Sequence, residues 1–270
     1  MTSASDLRRF AAFAAAILTV TPAAGAIPAC KAESGRQTVA LVELYTSEGC
    51  DSCPPADRWL SSRFAPGDAG ESAVAIAFHV DYWDRLGWKD RFATPAWTKR
   101  QYDSARAAKS DLVYTPQVLL QGRDLRDWQA EKRSATAIAA IARMPARADI
   151  ALEITPRPGA VAVNATARVP GAAHRQGAAL FVALTENGLV SDVRAGENAG
   201  KRLTHDHVVR ALQEGIAVGA AGDGTGTIVL PLPAEAAKAS TIVAFVQNVE
   251  TGEVLQALAL PIAPACAPTR

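Results

Sequence analysis

Cys50 and Cys53, in Gly49-Cys50-Asp51-Ser52-Cys53-Pro54-Pro55, are the side chains best placed to do chemistry in this chain. They follow the β-rich run Val39 to Thr46 and precede a stretch of helical period. Where a strand turns into a helix, unpaired amide N–H groups and the positive end of the helix dipole stabilise a thiolate. The second cysteine then attacks a mixed disulfide formed on the first and releases a reduced partner. A bare C-x-x-C is also half of a zinc site, but strand, dithiol and helix in that order favour redox chemistry. The Asp51 carboxylate opposes a thiolate on Cys50, and Arg58, about one turn on, offsets part of this. The expected couple therefore has reductase or isomerase character rather than that of a strong oxidant.

Other candidates surround this pair. His79 and Asp81 close an apolar run, at the strand end where ligands meet an open α/β sheet, and read either as a proton shuttle or substrate contact or as packed polar residues. Cys50, Cys53 and His79 together make the alternative, a copper or zinc site, although no second C-x-x-C completes a closed structural one. His205 and His207, two apart on an expected strand, point to one side and read as a metal or client site or as hydrogen-bonded surface histidines. Once Cys50 and Cys53 form the local couple, Cys30 and Cys266 remain as a structural disulfide joining the termini; the other reading is two free thiols on frayed tails.

The elements that must position these residues alternate through the first half. Val39 to Tyr45, Ala73 to Val80 and Gln117 to Gln121 read as buried strands. Pro54-Pro55 opens one helix, Thr94-Pro95 caps a second running to about Ala108, and a third spans roughly Trp128 to Met144. Beyond about Arg147 there is no Trp, and short runs rich in Val, Ala and Thr between turn residues suggest a β-sandwich. The expected division is 1–26, a signal peptide; 27–147, an α/β domain; and 148–270, a mostly β domain. Arg8 and Arg9, the apolar run Phe10 to Val20 and the small-residue site Ala24-Gly25-Ala26 carry the signal reading. That run is about half the roughly 20 residues a membrane-spanning helix needs.

The 28 basic and 27 acidic residues nearly cancel, and removing Asp6, Arg8 and Arg9 with the signal leaves a balanced chain. No basic stripe interleaved with aromatics appears, so there is no electrostatic case for nucleic acid or an anionic membrane as partner.

The Tyr114-Thr115-Pro116 sequence before the third strand resembles the thioredoxin pattern, in which a cis-proline faces the dithiol; Pro116 is the matching position. That likeness implies an exposed nucleophile at Cys50 and a more buried resolving thiol at Cys53. More closely, Glu43 to Asp57, Phe78 to Asp84, Tyr114 to Gln117 and the second-half stretches Gly196 to Gly200 and His205 to His207 resemble a bacterial secreted thioredoxin-like family catalogued as domain of unknown function 1223. The resemblance implies an α/β thioredoxin-like domain followed by a mostly β sandwich-like domain, with the dithiol as active centre. The expected protein is a periplasmic or secreted thiol-disulfide oxidoreductase using Cys50, Cys53, Pro116 and Thr115, with no cofactor. Its partners are a cysteine-containing envelope client and an upstream redox partner, and after cleavage it does not span the membrane. The alternatives are a metal-handling envelope protein and a non-catalytic binding module.

Overall fold

The structure, a computed structural model, describes residues 30–65, 72–232 and 236–268; the expected signal, residues 1–26, lies outside them. A short strand β1 (Lys31–Glu33) leads to β2 (Ala40–Thr46), whose residues are all buried, as a run without alternation requires. Helix α1 (Pro54–Arg63) starts on the proline pair, where no internal N–H donor is needed, and buries Ala56 and Leu60. Strand β3 (Ala73–His79) lies parallel to β2, in register from Ala40 opposite Ala73 to Thr46 opposite His79. Helix α2 (Pro95–Ala107) is capped by Thr94, whose hydroxyl accepts from the Ala96 and Trp97 N–H groups. Strand β4 (Gln117–Leu120) runs antiparallel to β2 and turns into β5 (Arg123–Asp124), after which α3 (Glu131–Ala142) follows. Gly122 in that turn has φ +73°, and a Cβ there would stand 2.0 Å from the Gly252 carbonyl oxygen, so only glycine fits.

The second half adds β6 (Asp149–Arg157), β7 (Ala160–Arg168), β8 (Ala178–Glu186), β9 (Leu189–Asp192), β10 (Arg202–His205), β11 (Val208–Ala217), β12 (Asp223–Pro231), β13 (Ser240–Asn248) and β14 (Val254–Pro261). Their arrangement corrects the expected fold class, an α/β thioredoxin-like domain followed by a β sandwich-like one. The protein is mostly β, and its sheets do not divide with the halves of the sequence. An eight-stranded mixed sheet runs β14-β13-β8-β11-β3-β2-β4-β5, joined across the halves where Val208 pairs with Ala77. A four-stranded sheet, β1-β6-β7-β12, takes its first strand from ahead of β2, and β9 with β10 forms a separate two-stranded ribbon. Local periodicity distinguishes strand from helix but does not say which free edge a strand will join. The edge of β3 left open by β2 is where β11 enters.

Strands β8 and β13 are buried on both faces. Leu180, Val182 and Leu184 pack with Ile242, Ala244 and Val246 against Ile150, Leu152, Val161 and Val163 of the four-stranded sheet. The alternate residues Phe181, Ala183, Val243 and Phe245 share a second core with Leu41, Tyr45, Ile76 and Phe78 of β2 and β3. The long sheet thus curls until its two ends meet: Val39 N–H donates to Gln256 Oε1 at 2.7 Å and Gln121 Nε2 donates to the Val254 carbonyl at 3.1 Å. Between them lies the Arg100 to Glu43 ion pair, 2.9 Å, with the guanidinium 5.2 to 5.5 Å from the Phe78, Phe181 and Phe245 rings. The opposite face of β2 and β3 is covered by Leu60 of α1, Ile138 of α3 and Trp128 from the turn ahead of α3. Cys30 is bonded to Cys266, linking the start of the described chain to its end.

Candidate dithiol site

Strand β2 ends at Thr46 and delivers Ser47 to Cys50 to the sheet edge. Gly49 N–H donates to Ser47 Oγ at 3.1 Å and Cys50 N–H to the Ser47 carbonyl at 3.3 Å, turning the chain into α1. Gly49 must be small, since a Cβ there would meet the Trp83 Cβ at 3.1 Å. Cys53 is the N-cap of α1, and its carbonyl accepts the first helical N–H groups, from Ala56 at 2.8 Å and Asp57 at 3.1 Å. Cys50 and Cys53 are joined as a disulfide.

The Thr115–Pro116 peptide bond is cis, and Thr115 Oγ1 donates to Cys50 Sγ at 3.5 Å while accepting from Trp83 Nε1 at 2.7 Å. Ser52 Oγ stands 3.3 Å from the same sulfur. This brings Cys50, Cys53, Thr115 and Pro116 together, though they come from segments some sixty-five positions apart.

The sulfurs are not exposed. Both cysteines are 0% accessible, which corrects the expected solvent-facing Cys50; Asp51 and Ser52 between them form the outer surface. Thr115 and Ser52 stand on the Cys50 sulfur, and the segment joining β9 to β10 packs on the backbone of this turn. Asn198, itself fully buried, donates through Nδ2 to the Glu48 and Cys50 carbonyls at 2.9 and 2.8 Å, while its Oδ1 accepts from Lys201 Nζ at 2.8 Å. Glu197 Oε2 accepts the Asp51 N–H at 3.0 Å. Gly196 takes φ +74°, a left-handed backbone that favours glycine, as the segment turns against Trp88 and Gly49.

Glu48 and Asp57, close to the dithiol in the chain, belong to a buried charged cluster; the sequence singles out its histidines, His79 and His205, but not its carboxylates. Glu48 accepts from Trp88 Nε1 at 2.6 Å, and its own N–H donates to Asp90 Oδ2 at 2.9 Å. Asp57 accepts from Thr46 Oγ1 at 3.2 Å. His205 sits 3.4 Å from Glu48 and 3.9 Å from Asp57, with neither ring nitrogen in hydrogen-bond geometry, so these are charge contacts. Burial opposes its charge, yet the two carboxylates prevail and raise the imidazole to about 9. Burial likewise opposes ionisation of Glu48, but the contact with His205 leads the groups that hold its carboxyl below the ordinary value.

His79 pairs through Nδ1 with Asp90 at 2.6 Å, both side chains fully buried. Burial would raise Asp90, but His79 outweighs it and holds the carboxyl at about 2. The polar contacts of His79 and Asp81 are therefore with Asp90 and, at 2.5 Å, Thr98 rather than with sulfur. Among the described residues no group of three or more His, Cys, Asp or Glu has a geometry that could hold a metal, including the Cys50, Cys53, His79 set. His205 and His207 do not share a side. The strand ends at His205, His207 takes φ +59°, and its Nε2 meets the Phe64 carbonyl at 2.8 Å, at the C-terminal end of α1. Position four after Cys53 could have flagged Asp57, because i and i+4 share a helix face; Asn198 lies in the Gly196 to Gly200 stretch that the family resemblance picks out, while nothing local marked Asp90.

Residues 41–247 match the family described as Protein of unknown function (DUF1223), and the chain belongs to that family. No curated protein matches the sequence. A crystal structure of a protein from Agrobacterium tumefaciens is similar over 85% of this chain and 97% of its own, at 27% identity and TM-score 0.58. HBP35 of Porphyromonas gingivalis is similar over 87% of this chain and 78% of its own, at 15% identity and TM-score 0.65, a likeness of fold alone. Among the described residues no helix is long and apolar enough to cross a membrane.

Proposed function

We propose that this member of the DUF1223 family is an exported thiol-disulfide oxidoreductase of reductase or isomerase character, acting on cysteine-containing proteins outside the cytoplasm. The observation that carries the reading is the Cys50–Cys53 disulfide at the start of α1, with the Thr115 hydroxyl on Cys50 Sγ. In the reduced protein the Cys50 thiolate attacks one sulfur of a client disulfide, and the other client sulfur leaves as a thiolate that takes up a proton. Cys53 then gives its proton to solvent, and its sulfur attacks Cys50, releasing the client's second thiol and closing the Cys50–Cys53 bond. The client has gained two electrons and two protons, and an upstream dithiol protein restores them.

Reductase character is supported by the buried carboxylates of Glu48 and Asp57, two residues before Cys50 and four after Cys53 in the chain, since nearby negative charge disfavours a thiolate. A less stabilised thiolate means a less oxidising couple. Export is supported by the signal-like first 26 residues and by the second disulfide, Cys30–Cys266, which persists in oxidising compartments. Because both sulfurs are covered, a client must part the 193–201 segment from Gly49 and Cys50 before reaction.

The test is catalysed reduction of a disulfide-bonded protein such as insulin, with a small dithiol as electron source. Turnover lost in Cys50→Ser and Cys53→Ser supports the reading; a rate no greater than that of the dithiol alone removes it.

A further inference from the structure

We infer that His205, brought to the dithiol by the far half of the chain, is a positioning residue that sets the ionisation of Cys53 through Asp57 and Glu48. The inference deepens the redox reading above and rests on it for its purpose.

Glu48 lies two residues before Cys50, and Asp57 lies four after Cys53 on the same face of α1. Both carboxylates are thus tied to the cysteines by short stretches of backbone, Asp57 also through its N–H on the Cys53 carbonyl at 3.1 Å. Both are buried, Glu48 at 0% and Asp57 at 7%, so neither is screened by solvent. His205, 2% exposed, stands between them, 3.4 Å from one and 3.9 Å from the other.

The other charged groups around it have partners of their own. His79, edge-on at a ring distance of 4.8 Å, belongs to Asp90. Arg91 and Arg210 stack on Phe92, whose ring is 5.8 Å from that of His205; Arg91 also donates to the Val190 carbonyl at 2.8 Å, and Arg210 pairs with Glu186 at 3.3 Å. Ser191, on the strand paired with β10, adds a buried hydroxyl without a charge. His205 is therefore the cation that faces both carboxylates. When the disulfide is reduced, Cys53 ionises in the combined field of two carboxylates that raise its pKa and one imidazolium that lowers it. Without the imidazolium, a thiolate at Cys53 would be a third unbalanced charge in a buried cluster.

The experiment is the pH dependence of Cys50 and Cys53 alkylation in the fully reduced dithiol, read by peptide mass spectrometry for wild type, His205→Gln and Asp57→Asn. His205→Gln should move the Cys53 midpoint up by about one pH unit, and Asp57→Asn should move it down by a comparable amount. Opposite signs are the signature of charge coupling, because a merely disruptive substitution exposes the thiols and moves both variants alike. Unmoved midpoints, or shifts of the same sign, overturn the inference. If His205→Gln does not fold, the His205 imidazole is titrated by NMR in reduced wild type and in Cys53→Ser: a lower midpoint in Cys53→Ser, where no thiolate forms, supports the coupling, and equal midpoints refute it. The readout requires no turnover. Opposed shifts without insulin reduction would sink the enzyme reading and keep the coupling, while turnover with unmoved midpoints would do the reverse.

Discussion

Replacing Asn198 by alanine should unlatch the dithiol. The wild-type amide makes two hydrogen bonds through one nitrogen, to the Glu48 and Cys50 carbonyls at 2.9 and 2.8 Å, and is oriented by Lys201 on its oxygen. A net value of about 0.5 to 1.5 kcal/mol per bond gives about 1 to 3 kcal/mol holding the segment down. At about 1.4 kcal/mol per factor of ten, the open population should rise by roughly 5 to 150-fold. The assay is the rate at which a water-soluble phosphine reduces Cys50–Cys53, followed by alkylation and mass spectrometry. It should be run at reductant concentrations where the rate is proportional to reductant, so that it reports the open fraction. Asn198→Ala should be reduced at least about five-fold faster, whereas Glu197→Gln, which alters one solvent-exposed contact to the Asp51 N–H, should change the rate much less. Equal rates for wild type and Asn198→Ala, both matching an unprotected disulfide, would refute the argument that this segment governs access.

Two further predictions concern the buried charges. Arg100→Met strands Glu43, which is fully buried, and should cost about 3 to 5 kcal/mol in denaturant unfolding, with the loss reduced when Glu43→Gln is added. Stability against pH should fall at both ends. Asp90, held at about 2 against an ordinary 3.8, contributes stability that is present above the ordinary value and lost as pH drops through about 2, an effect of about 2 kcal/mol. His205, raised from 6.5 to about 9, contributes stability that is full below 6.5 and lost as pH climbs through about 9. Unfolding free energies that stay flat from pH 6 to 10 would contradict the second assignment.

Much of the site's immediate frame was legible in the sequence because its signals are local. Pro54-Pro55 and Thr94-Pro95 mark helix starts by the missing N–H and the capping hydroxyl, and the unbroken apolar runs of β2 and β3 mark buried strands. What escaped depends on contacts between distant segments. The alternation of the first half looks self-contained, yet β3 offers its free edge to β11, a strand that begins about 130 residues later. Strands β9 and β10 have four residues each, too short for a period to show, and the segment between them carries Asn198. The histidine pair failed as a joint site because the chain leaves the strand between the two, at a backbone turn that residue type alone does not announce. Exposure of Cys50 was likewise not readable from its neighbours, since Thr115 and Asn198, which pack on it, lie some 65 and 148 positions away.

The central claim is that Cys50 attacks clients and Cys53 resolves. Cys53→Ser expressed in the exporting cell and quenched with acid should accumulate mixed disulfides through Cys50, which would be absent from Cys50→Ser. An equal yield of adducts from both variants, or none from either while the wild-type dithiol stays permanently oxidised, would contradict it.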